Sequence, residues 1–262
     1  VNEEVMEQRT IIRYDGESLS ETDDQIATEY AMTIYVNGEE FATMVCTPSH
    51  LEELVIGFLA SEGMIRRVDE IESLEINEDR GFAYAELVNK TPAGREFHSK
   101  RFIGSCCGKS RQFYFQNDVK TAKTIAKKST IPVRNCLSLM KKMQESSTDF
   151  QKTGGLHNAA LCTTDDIVIA HSDIGRHNAL DKIYGHCLKN RIPLKGKVIV
   201  FSGRISSEVL LKVSKIGVGI VLSKSAPTTL AIELAHDLGI TACGFIRGNS
   251  LNIYSHADRI TE

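Results

Sequence analysis

The chain lacks the short motifs that announce a familiar chemistry. It has no Cys-x-x-Cys, no His-Glu-x-x-His and no other paired ligand spacing, so the patterns of zinc sites are missing and no structural zinc is expected. It has no P-loop and no Gly-x-Gly-x-x-Gly, which disfavours ATP hydrolysis and a dinucleotide-binding Rossmann site. No apolar run is long enough to span a bilayer, and the acidic opening (Glu3, Glu4, Glu7) is unlike a signal peptide, so no membrane association is expected. The net charge is only -3, and no global field recruits nucleic acid. The seven cysteines are odd in number and scattered, which argues against a disulfide framework and for a reducing cytoplasm.

What the chain does contain is ordinary in bulk and uneven in detail. Its 262 residues, 42% hydrophobic and 25% charged, suit one large soluble domain or two modest ones. Acidic residues vanish between Glu96 and Asp118, and there two cysteines stand together in Gly104-Ser105-Cys106-Cys107-Gly108-Lys109. Lys100, Arg101, Lys109 and Arg111 surround them. Nearby cations stabilise a thiolate and lower the thiol pKa. The flanking glycines permit a tight turn and leave room for another molecule. Burial as a small apolar residue is the commoner role of a cysteine, but four cations and two glycines favour a reactive pair.

Periodicity divides the chain. Residues 1–28 are polar and acidic with little period and read as an arm that is partly disordered or draped; residues 29–150 read as an α+β region carrying the cysteines, and 151–262 as an α/β cofactor-binding domain. Residues 31–36 and 39–46 form a hairpin about Asn37-Gly38, Pro48-Ser49 opens a helix that Gly63 stops, and 71–77 with 82–88 make a second hairpin. A lysine-rich helix is expected around 118–128 and another over 133–145, followed by a polar junction at 145–155. Next come a hairpin (155–162, 167–171), a helix through 180–188, then strand, helix, strand, helix, strand over 197–246 and a last strand at 251–254. That alternation implies a parallel sheet with helices packed on it.

Three strand ends in this second half carry Arg or Lys with Gly or Ser: Ser202-Gly203-Arg204 before Ser206-Ser207, Ser223-Lys224-Ser225 before Pro227-Thr228, and Phe245-Ile246-Arg247-Gly248-Asn249-Ser250. Helix N-termini beside such residues bind anions, and open α/β sheets bind ligands at carboxyl ends of strands. Each loop alone is explained by helix capping; together they suggest a phosphate-bearing ligand. Asp173-Ile174-Gly175-Arg176-His177-Asn178 and Gly154-Gly155-Leu156-His157-Asn158 add histidines beside glycines. Asp173 and His177 suit proton transfer or nucleoside binding, and suit equally an N-cap with a packed histidine.

These segments together resemble the FdhD family of formate dehydrogenase accessory proteins. The resemblance rests on residues 153–158, 173–182, 201–207 and 223–229, the Thr47-Pro48 helix start with residues 52–58, and the basic cysteine segment. It covers nearly the whole chain from about residue 29. It implies an α/β fold with a cytidine deaminase-like C-terminal domain, a mixed or parallel sheet flanked by helices, although the deaminase zinc motif is absent. It also implies a sulfurtransferase. A cysteine desulfurase loads a persulfide on a cysteine, and the sulfur passes to the molybdenum or tungsten of a bis-molybdopterin guanine dinucleotide destined for the formate dehydrogenase catalytic subunit, GDP being a mimic of its guanine dinucleotide arm. Cys107 or Cys106 is the carrier, Cys107 favoured by its neighbour Gly108. Phe245, Ile246, Arg247, Gly248, Asn249 and Ser250 are the implied cofactor segment, with Arg204, Ser206, Lys224 and His177 beside it, and the size of the cofactor suits a homodimer enclosing it. A cofactor chaperone without sulfur chemistry and a nucleotide-modifying enzyme using Asp173 and His177 are the competing readings.

Overall fold

The computed structural model describes residues 5–90, 102–103, 124–125, 129–146 and 153–262. The cysteine segment at 104–111 and the lysine-rich helix expected around 118–128 therefore fall outside the described residues, apart from irregular backbone at Thr124 and Ile125. The polar opening stretch, expected to be partly disordered or draped, forms regular strands over residues 6–27. Strands β1 (Met6–Tyr14) and β2 (Leu19–Ala27) pair antiparallel along their whole length. None of the residues of this ribbon is buried, so no buried face imposed an apolar period on its sequence. The turn closes through the Asp15 carboxylate, which accepts from the Glu17 and Ser18 N–H groups at 2.9 Å, and Asp23 accepts from Thr10 and Gln8 across the strands.

Strands β3 (Tyr30–Val36) and β4 (Glu39–Cys46) form the expected hairpin. Asn37 and Gly38 both take positive φ (51° and 79°), as a two-residue primed turn requires. They join β5 (Ile71–Asn77), β6 (Phe82–Leu87) and β7 (Phe102–Ile103) in a five-stranded sheet of order β5-β6-β3-β4-β7. Helix α1 (Leu51–Ser61) starts two residues later than Pro48-Ser49 implied. Its N-cap is His50 in a left-handed conformation (φ 52°) with no side-chain cap bond.

The second half follows the predicted alternation. After β8 (Ile131–Pro132) and α2 (Val133–Ser146) come β9 (His157–Cys162), β10 (Ile167–Asp173), α3 (Arg176–Lys189), β11 (Val198–Phe201), α4 (Ser207–Ile216), β12 (Ile220–Ser223), α5 (Thr229–Leu238), β13 (Thr241–Arg247) and β14 (Ser250–Ile253). The sheet order is β10-β9-β11-β12-β13-β14. Only β11, β12 and β13 run parallel, so the sheet is mixed. The final strand β15 (Ile260–Thr261) pairs with β8. Among the described residues no helix is long and apolar enough to cross a membrane.

Strand period distributes the core. Ala160, Cys162, Val198, Val200, Ile220 and Leu222 face α2, which covers them with Cys136, Leu139, Met140 and Met143. Ala159, Leu161, Ile199, Phe201, Val221 and Ala242 face the other way, into one apolar cluster that also contains Met32, Ile34, Leu54 and Leu59 of the first half. The two halves thus share a core. They meet where α1 crosses α3 at two glycines. A Cβ on Gly57 would fall 1.8 Å from the Asp181 carbonyl oxygen, and one on Gly185 1.8 Å from the Glu53 carbonyl oxygen. Gly185→Ala must separate the helices along a buried seam, and we expect it to cost on the order of 3 kcal/mol in urea unfolding. A wild-type midpoint and slope would mean that the backbones do not approach this closely.

Candidate functional site

The three strand-end loops come together at one edge of the six-stranded sheet. β11 and β12 are parallel, so the loops after them leave side by side. Ile205 N donates to Ala226 O at 3.1 Å, and Thr228 N donates to Ile205 O at 3.0 Å. Ser223 Oγ donates to Gly203 O at 2.6 Å and Ser225 Oγ to Ser202 O at 3.0 Å. The third loop joins through Phe245 N, which donates to Ser225 O at 3.3 Å. Gly244 is needed here, since a Cβ would meet that same Ser225 oxygen at 2.7 Å. Ser206 and Thr228 are the N-caps of α4 and α5, each accepting from the N–H three residues on at 3.3 Å.

On this edge Arg204, Lys224, Arg247, Gly248, Asn249 and Ser250 are exposed. Phe245 is 41% exposed, a large apolar surface for an aromatic ring, and its φ of 52° is a conformation that aromatic residues seldom adopt. Arg247 lies 5.6 Å from the centre of that ring, a cation–π distance. Ile246 differs from the rest of its segment. Its side chain is buried in the core beneath α2, where strand alternation turns it away from the edge, so that side chain supports the loop. The Ser206 hydroxyl is likewise engaged in capping.

Two further segments reach the same edge. Ser202 N donates to Asn158 O at 3.0 Å, and Asn158 N donates to Ser202 Oγ at 2.9 Å, which brings the 154–158 segment against the first loop. A Cβ on Gly203 would lie 3.4 Å from Arg176 Cβ, which places the start of α3 there too. His177 Nε2 is 3.2 Å from Glu208 Oε2. Burial lowers the pKa of His177, with Lys212 and Arg176 acting in the same direction and Glu208 against it. Burial, then Arg176 and His177, lowers the pKa of His157.

Asp173 is not a proton shuttle. It is fully buried, its Oδ2 is 2.8 Å from the ammonium of fully buried Lys182, and it accepts from Thr47 N at 3.0 Å. Its Oδ1 accepts from Gly175 N at 2.8 Å and Asn178 Nδ2 at 2.9 Å. The N-cap of α3 is Gly175, so Asp173 is a brace beneath the edge.

The cysteines divide cleanly. Cys106 and Cys107 lie outside the described residues. Cys46, Cys136, Cys162, Cys187 and Cys243 are buried and free. Burial pushes the Cys136 thiol up to about 11 and those of Cys162, Cys187 and Cys243 up to about 12, with Cys46 raised further still. Thiols held in this way are inert at neutral pH. Strand β7, which precedes Cys106, runs parallel to β4 with Ile103 opposite Met44. β4 ends at Cys46, next to the Thr47 that donates to Asp173.

A second polar cluster was not legible as a motif. Glu53 of α1 stands between His50, His171 of β10 and His186 of α3, with His186 Nδ1 2.7 Å from its Oε1. Only the spacing His50-x-x-Glu53 was visible in the sequence; the other two histidines arrive through the fold.

The fold and its edge define a mixed α/β protein with clustered basic and glycine-bearing loops at the carboxyl ends of parallel strands. The profile of the FdhD/NarQ family matches residues 27–261, and the chain belongs to that family. It is 60% identical over 252 residues to a protein of Geobacillus kaustophilus named sulfur carrier protein FdhD, with 96% of each chain covered. It is 56% identical over 262 residues to the Bacillus subtilis protein of the same name, covering 100% of both. In structure it is similar to a Desulfotalea psychrophila protein described as a formate dehydrogenase accessory protein, at a TM-score of 0.81 and 23% identity, over 98% of this chain and 100% of the other.

The edge histidines carry a pH signature. Their folded pKa values lie below the ordinary one, so an unfolded chain takes up protons that the folded chain refuses. Their contribution to stability is complete above about pH 6.5 and is lost as the pH falls from there toward the lowered values. Replacing both by Asn (His157→Asn with His177→Asn) should flatten the fall in stability between pH 7 and pH 5 by up to about 1.4 kcal/mol per pH unit for each group. Parallel curves for wild type and variant in denaturant melts would contradict this.

Proposed function

We propose that this chain is a sulfur carrier that holds a persulfide on Cys107 or Cys106 and passes its outer sulfur to the metal of a bis-molybdopterin guanine dinucleotide bound at the sheet edge. The sulfur comes from a cysteine desulfurase, and the product goes to a formate dehydrogenase. The observation that carries this reading is the convergence of three basic strand-end loops on one edge, in a chain whose 60%-identical relative is named a sulfur carrier. The five described thiols are buried and inert, which leaves the vicinal pair as the reactive candidates. Strand β7 leads toward that pair alongside β4, whose end is tied to the edge through Thr47 and Asp173.

The edge chemistry suits a guanine dinucleotide. Free N–H groups in the first turns of α4 and α5 favour phosphate oxygens, with Arg204 and Lys224 supplying charge. The ring of Phe245 and the guanidinium of Arg247 offer a surface on which a purine can stack. The metal-bearing pterin is cargo in this scheme, with molybdenum or tungsten equally accommodated. The same reading relates the six-stranded sheet to the cytidine deaminases, places the protein in the cytoplasm and allows a homodimer around the cofactor.

Two measurements test it. Incubation with a cysteine desulfurase and cysteine should add one sulfur atom, mapped by mass spectrometry to the peptide containing Cys106 and Cys107. The double variant Cys106→Ala, Cys107→Ala should take up none and should fail to restore formate dehydrogenase activity to cells lacking this gene product. Full restoration by that variant would leave a cofactor chaperone instead. In calorimetry GDP should bind the wild type, and Arg204→Ala or Arg247→Ala should each weaken it by about 1–3 kcal/mol. Unchanged affinity in both would remove the edge from the site.

A further inference from the structure

The cluster around Glu53 is unused by the sulfur chemistry. It lies where α1, β10 and α3 meet, beside His186 in the last turns of α3. His50 Nδ1 is 3.4 Å and His171 Nε2 is 2.9 Å from the same oxygen, Glu53 Oε2. One ligand atom from each of the three residues falls within 4.8 Å of the others. The His171 side chain is 1% exposed and that of Glu53 13%. Both ring nitrogens of His171 and Oε2 of Glu53 are buried, yet none of them makes a hydrogen bond to another protein group.

The short contact between His171 and Glu53 is therefore close in distance but wrong in direction for an N–H···O bond. A shared proton needs each group to point at the other; a cation lying off the line between them needs each lone pair to point at the ion instead. Two ligand atoms each about 2.0–2.1 Å from one tetrahedral zinc stand about 3.3 Å apart, close to the separations seen here. Buried polar groups without partners are costly and call for an explanation. The outer partner is also in place. His186 Nδ1, 2.7 Å from the other carboxylate oxygen, fixes the orientation of Glu53. The adjoining cleft is lined by Glu52, Glu53 and Glu78 with one cation, Lys189, which is itself 2.6 Å from Glu52.

We propose that His50, Glu53 and His171 form a binding site for a zinc-like divalent transition-metal ion, oriented by His186 and open on the cleft side. Two imidazoles and a carboxylate suit borderline metals better than magnesium or calcium. The ion joins α1 of the first half to β10 of the second, so it acts as a clamp between the two sheets. Motif spacing alone could not reveal it, because His171 comes from β10, far in sequence from His50 and Glu53 at the start of α1. It rests on none of the residues assigned to sulfur transfer.

The test uses the full chain, stripped of metal by chelator and dialysed. Zinc chloride titrated by calorimetry should bind at one site per chain. At a hundredfold excess over Kd it should raise the thermal midpoint by about 5 °C or more. Cobalt(II) should give the visible bands of a low-symmetry four- or five-coordinate ion without a thiolate charge-transfer band, which separates this site from binding by cysteines. His50→Ala is the main variant, since its ring is 53% exposed and its loss opens no cavity; Glu53→Gln is the second. Each should keep the wild-type melting behaviour without metal to within a few degrees, weaken zinc binding at least tenfold and abolish the zinc-induced rise in midpoint. Absence of one-to-one binding to the stripped wild type, binding unchanged in both variants, or a cobalt spectrum with a thiolate band would each overturn the proposal.

Discussion

One buried carboxylate organises the centre of this molecule. Asp173 has no water to solvate it, so its charge must be answered inside the protein. Lys182 answers it at 2.8 Å, and the lysine in turn donates to Thr47 O, Ser49 Oγ and Ser172 O. The remaining acceptor capacity of Asp173 is filled by Thr47 N, Gly175 N and Asn178, and Asn178 reaches on to Val45 O. Removing either charge would strand the other in a dry interior. The end of β4, the end of β10 and the first two turns of α3 are therefore held as one unit, with a strand of the first sheet bound to a strand of the second.

The same logic recurs where α4 packs on α3 and on the end of α1. Asp181 accepts from Ser61 Oγ at 2.6 Å and, through both carboxylate oxygens, from the buried Lys212 ammonium of α4, while Lys215 of α4 donates to Ser61 O at 2.6 Å. The crossing of α1 on α3 is thus dry, close at its glycines and lined with charges that have nowhere else to go. Such an arrangement tolerates little sliding, because moving either helix exposes an unpaired charge. It gives the carboxyl edge of the sheet a rigid base. The loops there are free to carry exposed basic and aromatic groups without having to hold the fold together.

What the sequence revealed and what it concealed follow from these facts. Hairpins and the strand-helix alternation were legible because each buries one face, and burial imposes a period of two or 3.6 on the residues. The β1–β2 ribbon was not, because a strand pair wet on nearly all sides carries no such period. Nothing local marks Lys182, Lys212 or Lys215 as buried, yet each is; their partners lie in β10, in the loop after β4, in α3 and in α1, beyond the reach of any local pattern. The three basic strand-end loops were found because they repeat one local arrangement, and the structure brings them together. The inward turn of the Ile246 side chain was hidden by its membership of the loop. Asp173 drew attention for a sound reason, an acid beside Gly and His, but the ammonium that decides its role sits two turns away on a face the sequence does not display.

The shared apolar cluster has a consequence for anyone who would take the molecule apart. Met32, Ile34, Leu54 and Leu59 share one apolar cluster with Ile199, Phe201 and Val221, and β15 near the far end of the chain completes a pair with β8. A fragment ending near residue 150 would carry a wet β4 terminus and a naked α1; the complementary fragment would expose the α3 face and the lysines that α1 now covers. Neither piece is a smaller version of the whole. Split expression, limited proteolysis at the junction or transplanting the basic loops onto the second half alone would yield sticky fragments, whereas mixing both pieces during refolding gives the missing surfaces a chance to find each other.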